Sequence, residues 1–373
     1  MAALDAYVEG TPVDKLATDK LNTSSGAIPA TDKPNTSSGD QGTSPEYHTV
    51  KNMPTAKLSS GHEIPIVGMG TWKSKPGEVG EAVKTALRAG YRHIDCAYIY
   101  KNEPEVGEAF QTIWKEGKVK REEVFITSKL WNSEHAAENV AKACRQTLKD
   151  LQLDYLDNYL IHWPQTGNEG PEVQPPIQET WQAMEKLVDE GLVRSIGLSN
   201  FSVKKTEAVL SYARIQPSIV QVEIHPYFRN DYLVKFCKEK GIHVTAYSPL
   251  GSPDSSAMYK RENVPWVLQD KEVQAVADKL GKSAGQVLIR WAIQHGTSVI
   301  PKSIKPERIR QNLDVLDWEI PQEDFQKLSS LQFQMRMLDG AECVKENGPY
   351  KSINDVWDGE VPPSNTMDVQ KEQ

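Results

Sequence analysis

The sequence predicts an α/β fold, a (β/α)8 or TIM barrel, and three observations carry the prediction. Eight strand-like runs alternate with helical stretches over roughly 250 residues, the span such a barrel occupies. Nearly every strand-like run ends on a reactive or hydrogen-bonding side chain: Asp95, Lys129, His162, Ser199 with Asn200, Gln221 with Glu223, Tyr247 and Lys302. The 373 residues, 38% apolar and 25% charged, have an ordinary globular composition and leave room for one large core. A doubly wound open sheet is the competing fold. There the polar strand ends would be strung along an edge, whereas in a barrel they converge on one mouth.

Residues 1–52 are rich in Ser, Thr, Asp, Pro and Gly and repeat themselves, TDKLNTSSG from Thr18 and TDKPNTSSG from Thr31. Such a stretch buries too little apolar surface to offset the entropy of ordering, so a disordered low-complexity extension is expected, with the barrel domain over 53–373. From Ala56, AKLSSGHEIPIVGMGTW reads as a β-hairpin turning at Ser60-Gly61, followed by a strand over 67–70. A helix over 77–89 stops at Gly90, as helices do at a C′ glycine. Strands are then expected at 92–95, 124–129, 155–162, 193–199, 219–223, 243–247 and 298–300. The helices between and after them fall at 136–150, 178–190, 203–212, 230–240, 271–280 and 306–313.

Several functions are disfavoured. A formal charge of −8 and a pI near 5.6 argue against nucleic acid or an anionic membrane as a partner, although a local basic pocket for phosphate stays open. The four cysteines, Cys96, Cys144, Cys237 and Cys343, lie far apart with no metal-ligand spacing and read as reduced thiols. No metal is expected. There is no run of eighteen apolar residues and no secretory or Arg-rich leader pattern, so a cytoplasmic protein is expected, with a monomer as the default. Gly68-Met-Gly70 has Lys73 where a dinucleotide fingerprint needs its third glycine, and Gly197-Leu-Ser199-Asn-Phe201 lacks the last glycine of a nucleophile elbow.

What remains is a proton-donating constellation. Asp95 ends a buried strand and Tyr100 follows five residues later. A phenol with its ordinary pKa near 10 is a poor acid or base at neutral pH. A neighbouring ammonium, Lys129, should lower that value by ~1–3 units, with Asp95 keeping the lysine charged. His162, in the apolar run YLIHWP, would then donate a hydrogen bond to a carbonyl oxygen facing the phenol. Taken singly, a His or Lys beside aromatics more often satisfies core hydrogen bonds; four complementary roles at strand ends favour chemistry.

GYRHIDCAYIY, ITSKLWN, YLIHWP, GLSNF, QVEIHPY, AYSPLGSPD and VIPKSIKPERIRQN occur in the order found in the aldo-keto reductase superfamily. The chain from about 57 to 360 resembles that superfamily, and its tail YKSINDVWDGE resembles the plant aldehyde- and aldose-reducing members. The resemblance implies NADPH-dependent reduction of aldehydes, and of some ketones, with Tyr100 as proton donor, Asp95 and Lys129 as its tuning pair and His162 orienting the carbonyl. It implies cofactor contacts from Gly70, Thr71 and Trp72. It further implies that Ser199, Asn200 and Gln221 hold the nicotinamide amide, Tyr247 stacks on its ring, and Ser248, Leu250, Ser252 and Asp254 cover the pyrophosphate. Lys302, Ser303, Arg308, Gln311 and Asn312 are implied at the adenosine end, where two cations near a helix start suit a phosphate monoester and hence NADPH rather than NADH. Trp72, Trp131 and Trp163 resemble the substrate walls. A C-terminal substrate loop is implied as well, here carrying Met337 and Leu338 rather than aromatics. Three other readings stay open: an aldose or sugar-phosphate reductase, a double-bond reductase (disfavoured by His162), and a non-catalytic NADPH-binding sensor or scaffold.

Overall fold

The computed structural model describes residue 47 and residues 53–166, 170–252 and 264–366. The repeats of the N-terminal extension lie outside the described residues. Strands β1 (Thr55–Lys57) and β2 (Glu63–Pro65) form the expected antiparallel hairpin, with Ala56 opposite Ile64. Its turn closes through the Leu58 amide on the His62 carbonyl at 2.8 Å. Gly61 stands there at φ 85°, where a Cβ would strain the backbone. Leu58 and Ile64 are buried against Phe125, Leu160 and Ile219. Because Phe125 and Ile219 are the first residues of their strands, the hairpin plugs the N-terminal end of the barrel and leaves the other end for chemistry.

The remaining strands are β3 (Met69–Gly70), β4 (His93–Asp95), β5 (Phe125–Leu130), β6 (Asn158–Ile161), β7 (Ile196–Ser199), β8 (Ile219–Glu223), β9 (His243–Tyr247) and β10 (Ser298–Val299). They form one sheet of eight in sequential order, every neighbour pair parallel. A parallel bridge between Val67 and Val299 joins the last strand to the first; the Gly68 amide binds the Val299 carbonyl and the Val299 amide binds the Ile66 carbonyl, both at 2.8 Å. The barrel is therefore closed. Its strands β8 and β9 have the bounds expected from sequence, and several others are shorter by one to three residues at an end, as strand boundaries commonly are.

Helices α1 (Val79–Ala89), α2 (Glu103–Glu116), α3 (Ala137–Leu151), α4 (Ile177–Asp189), α5 (Val203–Tyr212), α6 (Asp231–Glu239), α7 (Lys271–Leu280), α8 (Ala284–Gln294), α9 (Pro306–Leu313) and α10 (Gln322–Leu328) surround it. Helix α1 ends as expected, Gly90 at φ 109° giving its amide to the last-turn carbonyls. Of these ten, α2, α8 and α10 were not expected. In α2, Pro104 and Gly107 look like breakers, yet Pro104 sits in the first turn, where its missing N–H costs nothing. A Cβ on Gly107 would lie 2.4 Å from the Asp150 carbonyl oxygen, so the glycine is what lets α2 pack onto α3. Helix α8 is buried from Gln286 through Ala292 and so lacks a polar face, but it carries a capping box in which Ser283 Oγ accepts from the Gln286 amide at 3.2 Å and Gln286 Oε1 from the Ser283 amide at 3.0 Å.

The described part of the compact unit reaches back to Tyr47, whose phenol donates to Glu116 of α2, itself paired with Arg88 of α1. The C-terminal segment returns over the mouth side of the barrel. Its Met335 amide donates to the Tyr227 carbonyl at 2.7 Å, and the Arg336 guanidinium lies between the rings of Phe228 and Trp357 at 4.2 and 3.3 Å.

Candidate active site

Strand register explains how the polar strand ends meet. Asp95 pairs with Thr127, and Lys129 is two residues further along β5 on the same face; Lys129 pairs with Leu160, and His162 is again two residues further. The same step runs from Gly197 to Ser199, which pairs with Gln221. Alternate residues of adjacent strands thus climb the inner wall towards one mouth. After β4 a short 3-10 turn, Tyr98–Tyr100, folds the phenol back over it.

At the centre Lys129 Nζ donates to Asp95 Oδ1 at 2.5 Å and to the Cys96 carbonyl at 2.9 Å, and reaches the Tyr100 hydroxyl at 3.5 Å. Gln221 Nε2 donates to the other Asp95 oxygen at 2.7 Å. Lys129 and Asp95 are almost wholly buried, at 1% and 2% exposed, so each charge needs the other. Burial pulls the Lys129 ammonium down, but Asp95 and Tyr100 outweigh it and leave the pKa above the ordinary lysine value. The amine is a fixed cation.

The phenol departs from expectation. Tyr100 is pushed up to about 12, because burial of its hydroxyl end outweighs the lowering by Lys129 and Asp95 adds to the rise. The group is therefore a protonated donor throughout the physiological range. His162 sits edge-on to Tyr100, ring centres 5.9 Å apart, with Trp131 on its other side at 5.3 Å. Burial first, and then Lys129, hold its pKa well below 6.5, so the imidazole is neutral and acts by hydrogen bonding.

The implied nicotinamide shelf is also assembled. Asn200, at φ 63°, gives its side-chain amide to the His162 carbonyl at 2.9 Å and receives the Tyr247 hydroxyl at 2.6 Å; Ser199 Oγ lies 3.3 Å from the same amide. A hydroxyl and two carboxamides, Ser199, Asn200 and Gln221, form a set that can both donate to and accept from a ligand carboxamide, beside the half-buried ring of Tyr247. That donor set fits a nicotinamide. Thr71 Oγ1 donates to the Asp95 carbonyl at 2.8 Å, and Asn102, which sequence reasoning missed, gives its side-chain amide to the Thr71 carbonyl at 2.9 Å. Asn102 thereby ties the Tyr100 turn to the β3 exit. A Cβ on Gly70 would stand 2.9 Å from the Ile300 carbonyl oxygen, which explains glycine where β3 meets the β10 exit.

The remaining implied residues are further out. Ser248 and Ser252 share a 2.5 Å hydroxyl bond in the loop that also holds Leu250, both at positive φ, while Asp254 lies outside the described residues. Lys302 donates to the Lys73 carbonyl at 2.5 Å. On the β10 exit and α9, Ser303 and Asn312 are buried and Arg308 and Gln311 exposed. Trp72 stands 6.3 Å from the Tyr100 ring, and Trp131 packs edge-on to His162. Trp163 is 6% exposed and packs on Trp357 within a cluster of Cys343, Tyr350 and Val356, so the structure places it under the C-terminal segment rather than on an open wall. No cluster of side chains suited to a metal occurs among the described residues, and among them no helix is long and apolar enough to cross a membrane.

Comparison with known proteins agrees with this geometry. Residues 66–332 match the model of the Aldo/keto reductase family. The chain is 46% identical over 313 residues to aldo-keto reductase family 4 member C11 of Arabidopsis thaliana, covering 82% of this chain and 98% of that protein. It is 47% identical over 294 residues to aldo-keto reductase family 1 member A1 of Gallus gallus, covering 75% and 89%. The solved aldose reductase of Schistosoma japonicum superposes with a TM-score of 0.71 at 41% identity, over 80% of this chain and 99% of that one. The chain belongs to the aldo/keto reductase family and is an oxidoreductase of carbonyl compounds.

Proposed function

We propose that the protein reduces aldehydes, and some ketones, to alcohols with NADPH. The observation that carries this reading is Lys129, wedged between Asp95 and Tyr100 and facing a neutral His162. NADPH, when bound, supplies the hydride to the carbonyl carbon. The chain does the rest: His162 orients the carbonyl oxygen, Tyr100 gives it a proton, and Lys129 stabilises the phenolate left behind. Ser199, Asn200, Gln221 and Tyr247 would hold the nicotinamide end. Lys302, Ser303 and Arg308 supply the charge and donors that a ribose phosphate calls for, which favours NADPH over NADH. Trp72 and Trp131 would line an apolar entrance.

A narrower reading, reduction of aldoses, draws support from the aldose reductase of Schistosoma japonicum, 41% identical to this chain. Initial rates on a panel of aldehydes, ketones, aldoses and sugar phosphates would rank the two. Replacing Tyr100→Phe should cut kcat by ~10²–10⁴ while NADPH binding, read by fluorescence, stays within about twofold. Near wild-type turnover in that variant would rule out Tyr100 as the donor.

A further inference from the structure

Strand β8 carries a second buried carboxylate beyond the catalytic group. Glu223 is two residues past Gln221, pairs in register with Tyr247, and is fully buried. Its two oxygens accept separate backbone amides of the C-terminal segment, Oε1 from Met337 at 2.8 Å and Oε2 from Leu338 at 2.7 Å. His225, likewise buried, places Nε2 2.8 Å from Oε1. Burial would raise this carboxyl, but His225 and the two amides outweigh it and hold the pKa below the usual glutamate value. A bidentate anchor on consecutive amides fixes both the height and the rotation of the segment.

The side chain hanging from that anchor does not point at the aromatic entrance. Met337 lines a hollow whose other walls are Leu250, Gly251, Ser252 and residues 264–267. Gly251 is itself constrained, at φ 76° with its Cβ position 2.7 Å from Val267. Three things are thus linked in series: the strand that presents Gln221, the C-terminal segment, and the loop over 248–252.

We infer that Glu223 is a positioning residue and that the C-terminal segment, through Met337, braces the 248–252 loop, so that Glu223 governs how firmly that loop holds the dinucleotide. The last clause rests on the cofactor reading above; the brace itself does not.

The test uses the full-length chain. Glu223→Gln offers one of the two amides a donor instead of an acceptor, and Met337→Ala leaves the anchor intact but removes the strut. Hydrogen exchange without ligand should rise about tenfold or more at 335–338 and at 248–252 in Glu223→Gln, and at 248–252 alone in Met337→Ala. Both variants should release NADPH about tenfold faster in stopped-flow fluorescence. Unchanged exchange at 248–252 in Met337→Ala overturns the brace. Faster exchange with unaltered NADPH release overturns the role in cofactor retention. Absence of NADPH binding by the wild type would instead sink the cofactor reading, while the exchange arms still decide the brace.

Discussion

His93 offers a clean measure of how the barrel interior treats charge. Its ring is buried below Lys129, edge-on to Phe125 at 5.3 Å, and so close to β3 that a Cβ on Gly68 would lie 2.4 Å from Nδ1. Burial first, and then the Lys129 cation, push its pKa down to about 3. The folded protein holds this imidazole neutral, while the unfolded chain titrates near 6.5. Its contribution to stability is therefore full above pH 6.5 and is lost as pH falls from 6.5 towards 3. At pH 5, about 1.5 pH units below the unfolded pKa, protonation favours the unfolded state by about 2 kcal/mol, and this figure is set by the unfolded value so long as the folded one stays well below 5. The wild-type profile alone would blur it, because Glu103, raised by burial to about 7, is protonated in the fold and has the opposite slope between pH 4.5 and 7. The difference between wild type and His93→Leu isolates the term. Urea unfolding at pH 7 and pH 5 should show the wild type losing about 2 kcal/mol more than the variant over that interval, whatever the variant's absolute stability. Equal losses would mean that His93 takes up its proton in the fold and that burial is not its controlling influence.

Three further substitutions probe the site and its frame. Lys129→Met leaves Asp95 buried without its cation, with Gln221 as its remaining side-chain donor among the described residues, and should cost about 3–5 kcal/mol by denaturant titration; adding Asp95→Asn should recover most of that loss. Gly107→Ala drives a methyl to 2.4 Å from the Asp150 carbonyl and should destabilise by about 1–3 kcal/mol, prying α2 from α3 without altering KM for a small aldehyde. Joint removal of the two cations, Lys302→Met with Arg308→Ala, should weaken NADPH by about a hundredfold while leaving NADH within a few fold, as read by binding titrations. An equal loss for both cofactors would place the phosphate elsewhere.

The periodicity of the chain was enough to show a barrel because most helices are amphipathic and most strands are bounded by glycine or a polar exit. Helices α2 and α8 were hidden for separate physical reasons: α2 carries Pro104 and Gly107, which read as breakers although Val106, Ala109, Phe110 and Ile113 lie on one buried face, and α8 is buried over most of its surface and so lacks the stripe by which a surface helix is read. The proposed catalytic group was legible because Asp95, Lys129 and His162 sit at strand ends, where parallel register forces convergence. Asn102 and Glu223 were less so. Each works through backbone groups distant in sequence, Thr71 for one and residues 337–338 for the other, and a single polar residue after a strand carries no mark of which main chain it will meet. Trp163 shows the converse: its place after β6 suggested a wall, but the C-terminal segment returns over it, with the Cβ position of Gly340 only 3.1 Å from the ring.

The phenol shows best where sign must be settled by geometry. A lysine beside a tyrosine suggests a lowered pKa, yet Lys129 Nζ lies 3.5 Å from the Tyr100 hydroxyl and also 2.5 Å from Asp95, so much of its field is spent on the carboxylate and burial outweighs the lowering that remains. The resting phenol is protonated. In the proposed mechanism Lys129 would act at the moment the proton leaves, when a full negative charge forms beside a full positive one. At 3.5 Å and an effective dielectric near 20, that attraction is on the order of 5 kcal/mol, present in the product of proton transfer and absent from the starting state. An interaction that strengthens only along the reaction is the kind that lowers a barrier. The same reasoning predicts direction: proton donation uses the resting form directly, whereas alcohol oxidation must first ionise a phenol held near 12, so rates of oxidation should climb with pH over a range in which rates of reduction stay level.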